Sequence, residues 1–261
     1  MKRIFVRLIC CFIPSSDVRR NIRRKYIEND KRIKNAGKNN KIVIVNADGT
    51  RKEVKSVSGV NVIFSGDNNY IELHKPIKKI SLKAHLISNA NIIIYPSQSD
   101  IKLNILQDGA PSTADRLIIG QNFWTTGVVT FEFCGGANIV IGKDCMFSFG
   151  ILLRTSDHHT IVQKGTHKVI NHNKDIVIGN RVWVGSDAMI LKGAVLSDNS
   201  VVGTRSIVTG KFEEPNVIVA GIPAKVIKRD IDWDIRHVHT YEYEHQKQIK
   251  NKLYNICFYC F

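Results

Sequence analysis

The chain of 261 residues carries 38 Lys and Arg against 23 Asp and Glu, a formal net charge of +15, with 43% hydrophobic and 23% charged residues. These are the proportions of a folded protein with enough chain to bury a core in one large or two small domains, and they argue against an intrinsically disordered one. No uninterrupted apolar run approaches the roughly 20 residues that span a bilayer, which argues against a helical membrane span.

The opening stretch Met1 to Ser16 has the outline of a signal peptide. Arg7 interrupts its apolar run and no small-x-small cleavage site follows, so the segment is expected to be retained. Residues 1–38 hold twelve Lys and Arg against Asp17, Glu28 and Asp30, which is nine of the fifteen net charges. Behind Pro14 and the cap candidates Ser15 and Ser16, the run from Asp17 to Tyr26 reads as a short basic helix, so residues 1–40 are expected to form a basic N-terminal helical segment. With Phe5, Leu8, Ile9, Phe12 and Ile13 beside it, this segment suits peripheral contact with an anionic membrane surface or an acidic polymer; a solvated face on a helix packed against the body fits equally. The six cysteines are Cys10, Cys11, Cys134, Cys145, Cys257 and Cys260. Cys257 and Cys260 have metal-ligand spacing but no second pair to complete a site, so reduced thiols are expected, with a structural zinc site as the remote alternative.

From residue 41 to 140 apolar and polar residues alternate, as in Lys41-Ile-Val-Ile-Val and Asn91-Ile-Ile-Ile-Tyr, around turns such as Gly66-Asp-Asn-Asn. These read as strands forming less regular coils of the repeat described next, with a separate β-domain as the runner-up. Ile141, Phe147 and Leu153 then recur every sixth residue. The polar stretch Ser156–Asp175 follows, holding His158, His159, His167 and His172. From Ile141 to Ile178 is 37 residues, one more than a multiple of six, so the chain must leave the repeat between them. A loop ejected over about 156–175 from a rigid scaffold, rich in titratable groups, is a candidate site.

Between 176 and 212 the period of six is strict. Ile178, Val184, Ile190, Leu196, Val202 and Val208 are all aliphatic, and four places after each lie Val182, Ala188, Ala194, Ser200, Ser206 and Phe212, mostly small. On a helix, steps of six leave successive aliphatics roughly 240° apart, with no apolar stripe. In extended chain an even step returns to the same face. The period therefore fits a short strand plus a corner, three of which make a coil of about eighteen residues stacked on its neighbours at about 4.8 Å. Glycines 179, 185 and 203 are expected to relieve the corners. After Asp230 the repeat stops, and residues 231–261 read as a tail with a mixed-charge helix from Asp232 through Lys252 and an apolar end, Ile256 to Phe261.

Residues 139–230 resemble the hexapeptide-repeat acyltransferases, in particular maltose and galactoside acetyltransferases and bacterial capsule or lipopolysaccharide O-acetyltransferases. The matching text is Ser156-Asp-His-His-Thr-Ile, Asp175 through Ser186 with its Val-Trp-Val-Gly, Ile190-Leu-Lys-Gly-Ala, Val202 through Thr209, and Gly221-Ile-Pro-Ala-Lys-Val-Ile. Residues 41–138 match weakly, through Gly66-Asp-Asn-Asn-Tyr-Ile. The resemblance implies an all-β fold, a left-handed parallel β-helix over 41–230, although general crossover preferences favour the opposite hand. It implies a homotrimer with acetyl-CoA in the cleft between neighbours and no metal. It places the general base on His159, with Asp157 two residues earlier and Trp183 as a donor to, or positioner of, the thioester. Asp157 either orients the imidazole or caps the loop. The resemblance further assigns Ser186, Thr204 and Thr209 to the pantetheine path, Pro223 and Ala224 to the adenine pocket, and Lys225 and Lys228 to the nucleotide phosphates. Many relatives carry Ala-Gly in place of Thr204-Arg205 and a Lys in place of Gly210, and Arg205 and Lys211 are positioned to replace the missing charge.

The expected activity is acetyl-CoA-dependent O-acetylation of a bacterial surface glycan, capsule or lipopolysaccharide, by a cytoplasmic enzyme. The excess positive charge suits a polyanionic, sialic-acid-containing acceptor. N-acetylation of an amino-sugar nucleotide is the alternative within the fold. A metal-dependent hydratase would need three histidines converging from the regular coils, which the sequence lacks. A basic nucleic-acid-binding module or a purely structural β-solenoid is the alternative of another class; no nucleic-acid module is present, and no nucleic-acid partner is expected.

Overall fold

The computed structural model describes residues 33–108 and 113–258, with side chains to residue 249. Most of the basic segment expected over 1–40, and the side chains of the Cys257–Cys260 pair, lie outside what is described. The described chain from Ile33 to Lys228 folds as a triangular solenoid of three largely parallel sheets.

Sheet A holds eight strands, in stacking order Ile33–Asn35, Val60–Phe64, Ile77–Leu86, Ser97–Gln107, Val129–Phe133, Ile151–Arg154, Met189–Leu191 and Ile207–Val208. Sheet B holds nine and runs from Arg51–Glu53 and Lys41–Val45 through Tyr70–His74, Ala90–Ile94, Asp115–Ile119, Asn138–Ile141, Ile176–Ile178 and Val195–Leu196 to Lys211–Phe212. Sheet C starts only at Trp124–Thr125 and continues with Met146–Phe147, Trp183–Val184, Val201–Val202, Ile218–Gly221 and Ala224–Lys228. Below it the long strands Ile77–Leu86 and Ser97–Gln107 take up more of each coil. Within the three sheets all pairings are parallel except at two ends of the stack, where Arg51–Glu53 folds back on Lys41–Val45 and Ala224–Lys228 folds back on Ile218–Gly221.

Residues 41–140 are therefore coils of the same solenoid and not a separate domain, and Ile33–Asn35, ahead of the expected boundary at 41, already pairs in parallel with Val60–Phe64. One column shows the continuity. Ile44, Leu73, Ile94, Ile119, Ile141, Ile178, Leu196 and Phe212 stand in register down sheet B, at intervals of 29, 21, 25, 22, 37, 18 and 16 residues. Every member but the two end ones is buried. Each such side chain contributes about 1.5–3 kcal/mol by leaving water, and successive rungs share the benefit. Aromatic rings fill the wider coils, where Phe123 and Phe147 meet edge to face at 5.0 Å.

The glycines do a different job from the one the sequence suggests. Gly142, Gly179, Gly185 and Gly203 do not have positive φ; the left-handed corner positions are taken instead by Asn122, Asp144, Arg181, Asp187, Asn199 and Arg205. The glycines are where coils touch. A Cβ on Gly142 would lie 2.5 Å from the carbonyl oxygen of Gly179, and one on Gly179 would lie 2.3 Å from an oxygen of Asp198. Asn and Asp tolerate the left-handed conformation because their side chains find partners nearby. Here the partner is the next coil, as in Asn122 Nδ2 to Asp144 Oδ1 at 2.9 Å and Asn39 Nδ2 to Asn68 Oδ1 at 3.1 Å.

The C-terminal helix spans Val238–Phe258 and starts later than Asp232, where the sequence suggests. Asp232 and Trp233 are held elsewhere. Both bind Arg181, through the Asp232 carboxylate and the Trp233 carbonyl, while the Trp233 indole N–H donates to the Arg181 carbonyl at 2.8 Å. The segment after the last strand thus doubles back beside Trp183, whose ring lies 6.0 Å from that of Trp233.

Candidate active site

The ejected segment leaves sheet A after Arg154 and rejoins sheet B at Ile176, at the corner between those sheets and at the expected boundaries. Its base is closed by Lys174 N–H donating to the Thr155 carbonyl at 3.2 Å. Its tip is a small hairpin in which Val162 pairs with Val169, turning at Gly165 with φ +87°.

Asp157 is the anchor of this loop. Its carboxylate accepts from Lys192 Nζ and, at 2.9 Å, from Asn171 Nδ2. The lysine first, then the Asn171 amide, hold its carboxyl below the usual carboxylate range. Asn171 also donates to the His159 carbonyl at 2.7 Å and accepts from Ile161 N–H at 2.7 Å. Lys192 Nζ adds a bond to the Asn171 carbonyl at 2.9 Å. His158 takes φ +62° with its N–H on Ser156 Oγ, and His159 N–H returns to the Asp157 carbonyl. Within the chain the Asp157 carboxylate is thus engaged with Lys192 and Asn171, and His159 is exposed. Lys192 and Asn171 carry no signal of this role in the sequence, although Lys192 sits inside the Ile190-Leu-Lys-Gly-Ala text.

Trp183 lies on a different face. It points outward from sheet C, in a column with Trp124, Met146, Val201 and Ile218. Its indole N–H is buried without a hydrogen-bond partner, an arrangement that costs about 1–3 kcal/mol and calls for a reason. No hydrogen bond links His159 to Trp183 within the chain.

The remaining candidates fall into two groups. Ser186, Thr204 and Arg205 are at the corner between sheets C and A, where Arg205 N–H donates to the Ser186 carbonyl. Pro223, Ala224, Lys225 and Lys228 are on the terminal hairpin that joins this corner through Gly221 N–H on Ser206 Oγ. Thr209 and Lys211 instead follow Val208, at the corner between sheets A and B that also carries the ejected loop. Arg205 has φ +57° and reaches Asp187 at 3.8 Å. Exposed Lys225 and Lys228 are cationic donors of the kind that fits a phosphate-bearing thioester carrier. Among the described residues, no group of three or more His, Cys, Asp or Glu is placed to hold a metal ion, and no helix is long and apolar enough to cross a membrane. Cys134 and Cys145 are free thiols, and burial pushes that of Cys145 up to about 12.

No family model matches the chain. Individual relatives do. A polysialic acid O-acetyltransferase of Neisseria meningitidis is 34% identical over 179 residues, covering 69% of this chain and 81% of that protein. The galactoside O-acetyltransferase of Escherichia coli K12 is 32% identical over 150 residues, covering 50% of this chain and 72% of that one. Among solved structures, the polySia-specific acetyltransferase NeuO superposes with a TM-score of 0.63 at 30% identity, covering 79% of this chain and 83% of that one. The polysialic acid O-acetyltransferase OatWY superposes with a TM-score of 0.56 at 26% identity, covering 81% and 94%. The coils wind in the left-handed sense of these enzymes. The chain belongs to the family of left-handed β-helix, hexapeptide-repeat acyltransferases that O-acetylate bacterial surface glycans with acetyl-CoA as the donor.

Proposed function

We propose that the active site is shared between copies of the chain in a homotrimer, with His159 of one protomer as general base and Trp183 of its neighbour as donor. The observation that carries this reading is the separation of the two groups. The loop bearing His159 is anchored at the corner between sheets A and B, whereas Trp183 lies on sheet C beside Trp233, its N–H buried and without a partner. Parallel packing of identical solenoids about a threefold axis lets that corner of one copy face sheet C of the next. The loop also exposes Ile161, Val162 and Ile170, apolar surface that a neighbour would cover.

In this reading, acetyl-CoA supplies an acetyl group activated as a thioester. His159 takes the proton from the acceptor hydroxyl as its oxygen attacks, then delivers it to the departing sulfur; an imidazole suits both steps near neutral pH. The Trp183 indole N–H is a candidate to meet the negative charge that develops on the carbonyl oxygen. Ser186, Thr204 and Thr209 would follow the pantetheine arm, Pro223 and Ala224 the adenine, and Lys225, Lys228, Arg205 and Lys211 the phosphates. The net charge of +15 supports an acidic acceptor, and the polysialic acid enzymes among its relatives support a sialic-acid-containing glycan. Two free thiols and the use of acetyl-CoA support a cytoplasmic site of action. The basic residues 1–40 are proposed as a peripheral contact to membrane or polymer; removing residues 1–30 should weaken binding to anionic vesicles more than transfer to a small acceptor.

Complementation tests the shared site. His159→Ala and Trp183→Phe should each be nearly inactive alone, and mixed trimers should regain about a quarter of native transfer, since random mixing leaves that share of sites intact. A monomer in light scattering, or no recovery on mixing, would remove the proposal.

A further inference from the structure

Resting on the acetyl-transfer reading above, we infer that the outer face of sheet A below the ejected loop seats the units of a linear acceptor glycan that flank the one being acetylated, so that the enzyme favours an oligomer over a single sugar.

The register stacks His85, Leu106, Glu132 and Arg154 in one outward column on successive coils. A groove of about 390 Å³ opens over this column, with Asp108 on one side and His158 at its upper end. Four rungs at 4.8 Å span roughly 14 Å, more than one sugar ring requires. The lining suits carbohydrate. Leu106 is 40% exposed and offers an apolar patch for the C–H face of a ring. The groups around it are polar and already held in place. Arg154 Nε donates to Glu132 Oε2 at 2.7 Å, and His85 Nε2 meets Ser65 Oγ at 2.7 Å. Fixed polar groups around an apolar platform bind with little ordering cost.

Two further observations set the direction and the charge of the occupant. His158 is the residue before His159, so the groove runs into the reaction site. Lys83 also points outward from the strand that carries His85. It stands between Asn61 and Asn104 and forms no ion pair among the described residues, whereas Lys79 faces Asp100. Within the groove Arg154 is already paired with Glu132 and Asp108 adds a second carboxylate, so sugar hydroxyls meet the groove itself and a carboxylate of the chain meets the unpaired Lys83 beside it.

The test compares transfer from labelled acetyl-CoA to a single sugar and to oligomers of the same acidic glycan of increasing length. The native protein should show a KM that falls with length. Leu106→Glu and His85→Ala should raise the KM for long acceptors at least about tenfold, with turnover of the single sugar and the KM for acetyl-CoA within about twofold of native. Native turnover without length dependence, variants that keep it, or equal loss with both acceptors would overturn the inference. So would a change of oligomeric state in Leu106→Glu, which would make the groove a contact between subunits. Absence of transfer by the native protein to any hydroxyl would instead sink the acetyl-transfer reading, and the groove with it.

Discussion

The coils before Ile141 and those after Ile178 bury the same kind of column but are built to different rules. Downstream, Ile178, Leu196 and Phe212 follow at 18 and 16 residues, with strands of two or three residues and little at the corners. Upstream, Ile44, Leu73, Ile94 and Ile119 are 29, 21 and 25 apart, with strands of up to 11 residues and extra chain between them. The burial is equal in both. Stacking therefore demands that the rungs match, and is indifferent to how much chain lies in between. The loop with His159 is the largest case of this freedom, an insertion that lengthens one coil to 37 residues without disturbing the coils on either side.

Four substitutions probe the comparison. The largest effect is expected from Gly179→Val in the regular coils, where the new side chain meets the Ser197–Asp198 segment of the next coil; folded protein should be lost, as judged by the melting transition. On the same reasoning His159→Ala, in the inserted loop, should leave folding intact and lower acetyl transfer by about 10²-fold or more, read by steady-state kinetics. Ile190→Ala and Ile92→Ala sharpen the comparison directly. Both residues are fully buried, one in a short coil and one in a long one, and each should cost about 2–5 kcal/mol in denaturant unfolding. A much smaller cost for Ile92 would mean that the long coils are less well packed.

Lys192→Met separates the loop from its anchor. Transfer should fall roughly tenfold through misplacement of His159, with little change in stability. The sign of the pH effect follows from Asp157. Its carboxyl is held below the usual value in the folded protein, so the anchor is complete above the ordinary carboxylate range and is lost as pH falls through the lowered value. In Lys192→Met the titration of Asp157, followed by NMR, should move back up toward the ordinary carboxylate range. An unmoved titration would show that Asn171 alone sets it.

The regular coils and the limits of the inserted loop were legible because a period of six repeats locally, and a break in phase marks where chain leaves the prism. The long coils were legible as less regular coils of the same solenoid, but their register was not. The pairing of Leu73 with Ile94, or of Ile94 with Ile119, depends on how much chain the corners absorb, and alternation within a strand says nothing of that. The glycines at 179, 185 and 203 were found but misread, since a contact between coils and a turn within a coil select the same residue for different reasons. Arg181 with Asp232 and Trp233, and Lys192 with Asp157, join positions 51, 52 and 35 residues apart in sequence. No local pattern encodes such pairs. His159 and Trp183 were named by family resemblance, but their placement on separate faces emerged only with the fold.

The two reversed strands, Arg51–Glu53 and Ala224–Lys228, carry a consequence for the molecule in bulk. A stack of parallel rungs is open-ended by construction, and each bare end could recruit another molecule and grow into a fibre. Where a strand runs backwards, with Lys52 or Lys228 along it, an incoming parallel rung finds the wrong polarity and a repelling charge. The protein thereby borrows the periodic architecture of a filament while keeping a finite length.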